Sequence, residues 1–218
     1  MFLSLLELNL RSRRVQRELA NRYELHQTLM HAFKPDKPEN ERLLFRLEIE
    51  ENCAKVIIQT QSAPSWSFLM EEEGFKHYLS DDRLPNPQVK SFTPHFDTGQ
   101  RFYFRLQANP TCRKAIYKDK NGHGKRIGLY KEEEQWQWLK NKGQNFGFLP
   151  LDTNLKAIGV IQGIQKRKEE EKHSLKILGI QYDGILQVTD PAIFGRALCS
   201  GIGSAKGFGF GLLSLAHL

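Results

Sequence analysis

The chain has 218 residues, 39% of them hydrophobic and 26% charged, a composition typical of soluble folded proteins that argues against intrinsic disorder. Its 32 Lys and Arg residues outnumber 25 Asp and Glu residues, and the formal charge of +7 favours a polyanionic partner, with nucleic acid the leading candidate. The chain has no run of roughly 20 apolar residues, so no membrane span is predicted. Its three cysteines are widely spaced and form no CxxC pair, which argues against a zinc site or disulfide bonds and favours a reducing, cytoplasmic compartment.

The chain opens on a predicted strand that is followed by a short helix. The apolar residues of Phe2–Leu10 indicate a mostly buried strand. Because Glu7 and Asn9 interrupt this run and no small-residue cleavage site follows, we do not expect a signal peptide. Ser12 is a suitable N-cap residue for a helix that continues through Leu19.

A second helix is predicted to begin at Asn21. Asn21 is a favourable N-cap residue, and Glu24 stands three residues later, at the capping-box position. The helix should end before Pro35, since a proline disfavours helical geometry in the residue that precedes it. The apolar positions that repeat at helical spacing are Leu25, Leu29, Ala32 and Phe33.

A hairpin and a proline-rich connection complete the first half of the chain. Alternating apolar residues over 43–49 and the run 55–59 predict two strands joined by a turn. The segment 81–99 holds three prolines among polar residues, so we place the domain boundary there. The predicted domains span residues 1–90 and 96–218.

The second half repeats this order of elements. An alternating strand is predicted over Arg101–Ala108, a helix over Lys131–Lys142, and two strands near Leu155–Ile164 and Leu175–Val188. Asp190, followed directly by a proline, is the predicted N-cap of a last helix before a short final strand. Each half can therefore be drawn as βαββαβ, which predicts an α+β fold of tandem ferredoxin-like domains with antiparallel sheets, as in RNA-binding RRM domains.

Tyr23 and His26 are the candidate catalytic residues. They lie three positions apart near the start of the Asn21 helix, on a face offset from Leu25 and Leu29, so both rings can reach a common ligand. RNA supplies its own nucleophile, the ribose 2′-hydroxyl, so its cleavage needs proton transfer and charge stabilisation rather than a metal. An imidazole, with an unperturbed pKa of about 6.5, can act as base or acid. The alternative is that both residues decorate a solvated helix end.

The glycine-rich tail from Gly201 to Leu215 is a candidate phosphate-binding loop. Lys206 stands where the dinucleotide fingerprint requires its third glycine, and no Walker sequence is present, which argues against NAD and ATP as cofactors. The glycines permit close approach of the backbone, with Gly203, Ser204 and Lys206 as candidate contacts to an anion. The alternative is a tight turn between a helix and a strand.

A basic segment between residues 113 and 131 is the candidate RNA-binding hairpin. Seven Lys and Arg residues occur there and only Asp119 opposes them, a pattern that suits contact with a phosphate backbone. We select Arg113, Lys125 and Arg126 as candidate RNA-binding residues. A solvated turn is the alternative. The remaining histidines show no spacing with acids or thiols that marks a metal site, so no metal is predicted.

Four segments together resemble one known family along essentially the whole chain. They are Arg11-Ser12-Arg13-Arg14-Val15 with Tyr23-Glu24-Leu25-His26, the block Phe104–Thr111, the segment from Tyr182-Asp183-Gly184 to Thr189-Asp190-Pro191, and the glycine-rich tail. On these segments the chain is similar to the CasE family, the repeat-processing endoribonucleases of type I-E CRISPR systems.

The resemblance implies a fold, an activity and a set of partners. It implies tandem ferredoxin-like domains that bind a CRISPR repeat stem-loop and cleave precursor crRNA at the base of its 3′ side, without a metal, leaving a 2′,3′-cyclic phosphate and a 5′-hydroxyl. The family's catalytic tyrosine and histidine fall on Tyr23 and His26, and its glycine-rich loop falls on Gly201 to Gly211. The resemblance further implies that the product stays bound, together with other subunits of the Cascade complex.

Two other functions remain open from the sequence. The first is a non-catalytic subunit that binds structured RNA by charge and shape, with Tyr23 and His26 as contacts only. The second is an oligomeric metabolite sensor, which would bind a small effector and have little affinity for RNA; the positive charge and the basic segment argue against it.

Overall fold

The computed structural model of the chain divides into two compact units. Unit 1 comprises Met1–Pro94, Gln162–Leu175 and Lys206–Leu212, and unit 2 comprises His95–Ile161, Lys176–Ala205 and Leu213–Leu218. The structure describes residues 1–33, 41–81, 85–118, 124–167 and 171–218, with the backbone alone for 114–118, 124–125, 164–167 and 171–174. The domain limits 1–90 and 96–218 remain a prediction from the sequence. In the structure, the later segments Gln162–Leu175 and Lys206–Leu212 group with unit 1.

Unit 1 contains a four-stranded antiparallel sheet. Its strands are β1 (Phe2–Leu8), β2 (Leu44–Glu50), β3 (Cys53–Thr60) and β4 (Gln88–Ser91). They lie in the order β2-β3-β1-β4, with β1 at the centre between β3 and β4. The alternating apolar residues of β1 and β3 place Leu6, Val56 and Ile58 in the core of this unit. β4 occurs inside the segment that the sequence assigned to the domain boundary.

Three helices accompany this sheet. They are α1 (Arg13–Ala20), α2 (Arg22–Leu29) and the short α3 (Phe68–Glu71), with a 3₁₀ turn at Met30–Phe33 extending α2. Both predicted helix starts are confirmed, since Ser12 and Asn21 occupy the N-cap positions. The hydrogen bonds of the predicted capping box are wrong. Neither Ser12 nor Asn21 caps its helix through its side chain, and the side-chain Nδ2 of Asn21 instead donates to Glu24 Oε1 at 3.2 Å.

A buried carboxylate ties α2 to α1. Glu18 of α1 is 1% exposed, and its Oε1 accepts hydrogen bonds from Arg14 Nε at 2.9 Å and from Thr28 Oγ1 of α2 at 2.8 Å. Its Oε2 accepts from the hydroxyl of Tyr78 at 2.6 Å. Burial, and then the carboxylate of Glu18, raise the pKa of the Tyr78 phenol. The position of α2 therefore depends on polar bonds as well as on apolar packing.

Unit 2 repeats the βαββαβ order with a hairpin inserted after its first strand. The sheet order is β10-β5-β9-β8, and the hairpin β6-β7 stands apart from it. These elements are β5 (Arg101–Ala108), β6 (Thr111–Lys118), β7 (Gly124–Gly128), α4 (Glu132–Phe146), β8 (Phe148–Arg167), β9 (Glu171–Val188), α5 (Pro191–Ser200) and β10 (Leu213–His217). The predicted N-cap is confirmed, because Asp190 Oδ1 accepts from the backbone amide of Ile193 at 2.9 Å.

The two sheet orders establish the fold class. In both units the first strand lies between the third and fourth strands, and the second strand lies at the edge, which is the arrangement of a ferredoxin-like domain. The chain has a tandem ferredoxin-like α+β fold, as predicted. β8 and β9 are longer than the sequence pattern indicated, since they continue to Arg167 and start at Glu171. Within the described residues, no helix has the length and apolarity needed to span a membrane.

Candidate active site

Helix α2 places Tyr23 and His26 on its partly exposed side. Leu25 and Leu29 of the same helix are buried in the core of unit 1, at 0% and 1% exposure. Because positions 23 and 26 are offset from these by the helical repeat, their side chains remain half-buried. The centroids of the two rings are 6.3 Å apart. The structure thus brings the two predicted catalytic residues together.

Two aromatic rings from distant parts of unit 1 pack against this pair. Phe45 of β2 is stacked on His26, with ring centroids 6.0 Å apart and planes within 9° of parallel. Phe208 of the glycine-rich tail contacts Tyr23, with centroids 5.7 Å apart. Neither phenylalanine was predicted from the sequence as part of the site. The alternation of glycine and phenylalanine over residues 207–211 is the signal that could have indicated Phe208; nothing local indicates Phe45.

The tail approaches the pair through two glycines. A Cβ placed on Gly207 would lie 3.4 Å from Cδ2 of His26, and one placed on Gly209 would lie 2.9 Å from Cε2 of Phe45. Gly209 also has φ of +83°, a conformation that L side chains rarely adopt. The predicted close approach of the tail is therefore present, and its neighbours are the ring of His26 and the ring stacked on it.

The three predicted tail contacts occupy different surroundings. Lys206 begins the 3₁₀ turn Lys206–Phe208 in unit 1, the unit of Tyr23 and His26. Gly203 belongs to unit 2, where its φ of +86° disfavours a side chain and a Cβ would lie 3.1 Å from the ring of Trp138. Ser204, also in unit 2, has a buried hydroxyl for which the described part of the chain offers no hydrogen-bond partner. Its role and those of the other two remain predictions.

The basic segment forms a hairpin, as predicted. Arg113 of β6 and Arg126 of β7 are paired directly in the register, and both are exposed. Like charges directly opposite one another on two strands destabilise the pairing of those strands. An anion bound by both arginines would reduce this repulsion. Lys125 is paired with Lys114 in the backbone register, but its side chain lies outside the described residues, as do residues 119–123 entirely.

Gly209 offers a direct test of how tightly the tail fits its neighbours. Gly209→Ala is expected to lower the free energy of unfolding by about 2–4 kcal/mol, since it combines left-handed strain with a clash against the Phe45 ring. Gly159→Ala is the matched control, because Gly159 has φ of +108° and nothing within 4 Å of its Cβ position. Gly159→Ala should lower the free energy of unfolding only by the backbone strain, about 1–2 kcal/mol. Denaturant unfolding measures both, and equal losses would refute the close fit.

The comparisons with known proteins agree with one another. A family model described as CRISPR associated protein matches residues 1–217 of the chain. The CRISPR-associated endoribonuclease Cse3 of Thermus thermophilus is 35% identical over 226 residues, covering 99% of the chain and 100% of that protein. The CRISPR system Cascade subunit CasE of Escherichia coli is 31% identical over 207 residues, covering 90% of the chain and 92% of that protein.

A solved structure also matches over nearly the full length. The CRISPR endoribonuclease Cse3 bound to a 19 nt RNA superposes with a TM-score of 0.79 and 34% identity, covering 99% of the chain and 100% of that protein. A second structure, of Cse3 bound to an RNA representing a pre-cleavage complex, has a TM-score of 0.76 and 32% identity. Since the family model covers almost every residue and both named relatives exceed 30% identity, the chain belongs to this family of CRISPR-associated proteins.

Proposed function

We propose that the chain is an endoribonuclease that binds the stem-loop of a CRISPR repeat and cleaves precursor crRNA. The observation that carries this proposal is the packing of Tyr23 and His26, 6.3 Å apart, beneath the glycine-rich tail. It is supported by full-length similarity to a relative named as a CRISPR-associated endoribonuclease. That relative has been solved with bound RNA and in a pre-cleavage complex.

The proposed reaction uses the nucleophile that RNA itself provides. The 2′-hydroxyl oxygen attacks the adjacent phosphorus, a new O2′–P bond forms, and the bond from phosphorus to the 5′-oxygen breaks. One proton leaves the 2′-hydroxyl and one is delivered to the 5′-oxygen, so the products are a 2′,3′-cyclic phosphate and a 5′-hydroxyl. His26 transfers one of these protons, and the phenol of Tyr23 hydrogen-bonds the reacting group. No metal is required, because the step moves only protons and charge.

RNA binding is assigned to the basic hairpin and the tail. Arg113 and Arg126 lie directly opposite one another on the two strands and are both exposed, an arrangement that suits contact with the phosphates of an RNA stem. Lys125 is a further proposed RNA contact of this segment, and Gly203, Ser204 and Lys206 are the proposed contacts of the tail. We further propose that the protein keeps its product and that it assembles with other Cascade subunits. Its Escherichia coli relative is named as a subunit of Cascade.

Cleavage in the presence of a chelator tests the proposal. Purified protein is incubated with the CRISPR repeat RNA of its host in EDTA, and the ends of the products are analysed. We expect one cut that leaves a cyclic phosphate, and no cut in a matched RNA with a 2′-deoxyribose at the cleavage position. RNA that is bound but never cut would replace the proposed enzyme with a non-catalytic RNA-binding subunit. A requirement for added metal would refute the metal-free mechanism.

A further inference from the structure

A buried arginine lies beside the candidate catalytic pair. Arg22 is the first residue of α2 and is only 8% exposed. It stands four residues before His26, so the two side chains lie on the same face of the helix, one turn apart. Its guanidinium carbon is 6.0 Å from the ring centroid of Phe210, in the same tail whose Gly207 approaches His26. Arg22 therefore belongs to the immediate surroundings of the site.

The charge of Arg22 is not neutralised within the described residues. Its Nη1 is buried and has no hydrogen-bond partner there. The nearest carboxylate in sequence, that of Glu24, is held by Arg17 at 3.0 Å and by the amide of Asn21. Burial lowers the pKa of the Arg22 guanidinium to about 10. A buried guanidinium without a counter-ion destabilises the protein unless an anion supplies one.

A cation at this place would favour the proposed reaction. Attack by the 2′-hydroxyl builds additional negative charge on the oxygens of the phosphorus, and in a metal-free reaction protein groups have to stabilise it. Tyr23 and His26 can donate or accept protons, but neither offers a permanent positive charge. A guanidinium does, and its parallel N–H groups match the spacing of two phosphate oxygens.

We propose that Arg22 is the anion-binding residue of the site, donating from its buried guanidinium to a non-bridging oxygen of the phosphate at the cleavage position. This inference rests on the proposed function for the identity of that phosphate. A phosphate oxygen would give the buried Nη1 a hydrogen-bond acceptor, so RNA binding would offset the destabilising effect of this buried charge.

The test compares Arg22→Met with Arg17→Met. Methionine keeps much of the side-chain volume and removes the charge, and Arg17 is the matched control, with a side chain 65% exposed and paired with Glu24. Arg22→Met is expected to slow single-turnover cleavage by about 10²-fold. Arg17→Met should change it by no more than about fivefold. Arg22→Lys keeps the charge but loses the parallel N–H groups of the guanidinium. Its single-turnover cleavage rate should therefore lie between those of wild type and Arg22→Met.

Sulfur substitution identifies the contact. When one non-bridging oxygen of the cleaved phosphate is replaced by sulfur, wild type should cleave the two stereoisomers at different rates. Arg22→Met should lose that difference, because the group that distinguishes the two oxygens is gone. The thermal unfolding midpoint of Arg22→Met should stay level or rise, since an unpaired buried charge has been removed. Wild-type cleavage by Arg22→Met, an unchanged stereoisomer preference, or a lower midpoint would each overturn the inference.

A binding measurement separates this inference from the proposed function. RNA with a 2′-deoxyribose at the cleavage position cannot be cut, so its affinity can be followed as salt is raised. Arg22→Met should reduce the slope of log affinity against log salt by about one unit, the loss of one phosphate contact. If wild type never cleaves RNA but the slope still falls, the nuclease proposal fails and the anion site stands. If the slope is unchanged, the anion site is refuted whether or not wild type cleaves.

Discussion

His26→Ala is expected to reduce RNA cleavage by about 10²–10⁴-fold, the usual contribution of a positioned proton-transfer group. RNA affinity should change little, because the substitution leaves every proposed phosphate contact in place. These contacts are Arg22, Arg113, Lys125, Arg126 and the tail. The measurement is single-turnover cleavage of end-labelled repeat RNA in EDTA, with affinity determined on uncleavable RNA. A variant that binds and does not cut would place His26 in the chemical step.

His31→Ala is the matched control for this prediction. His31 lies in the 3₁₀ turn that extends α2, and its ring contacts Phe68 and Phe75, with centroids 5.6 and 6.0 Å away. Its removal should leave the cleavage rate close to that of wild type. Wild-type cleavage by His26→Ala would refute the role of the imidazole, and an equal loss in both variants would indicate a general disturbance of α2 rather than lost chemistry.

Glu18→Ala is expected to lower the free energy of unfolding by about 3–5 kcal/mol, the cost of breaking a buried, hydrogen-bonded charge network. The substitution leaves the hydroxyls of Thr28 and Tyr78 without their acceptor in the interior of unit 1. The lost ion pair with Arg14 contributes less to this decrease in stability, because the side chain of Arg14 is 30% exposed. Denaturant unfolding of the full chain measures the loss.

Glu24→Ala is the control, since it removes the same side chain from an exposed ion pair. The side chains of Glu24 and Arg17 are 38% and 65% exposed, so solvent screens their attraction and the expected loss is at most about 1 kcal/mol. Similar losses in the two variants would show that the Glu18 bonds add nothing beyond an exposed pair. Because Thr28 lies on α2, we also expect Glu18→Ala to slow cleavage by loosening the helix that carries Tyr23.

Local sequence patterns were sufficient for most helices and strands. Alternating apolar residues predicted β2, β3 and β5, and Asp190 before a proline predicted the start of α5, because these signals act within a few residues. The capping box at Asn21 was wrong because Glu24 has a competing partner: it pairs with Arg17 of the preceding helix at 3.0 Å. The sequence pattern specifies which residues can cap, but not which other groups reach them.

By itself, the sequence determined the βαββαβ order of each half, the positive hairpin, and the placement of Tyr23 and His26 on one side of a helix, since all three follow from residue type and helical or strand period. Only the tertiary structure decided what surrounds that pair. Phe45 and Phe208 pack on His26 and Tyr23 from distant segments, and the charge of Arg22 is left buried without a counter-ion in the described residues. Such contacts join residues that are far apart in the chain, and local periodicity carries no information about them.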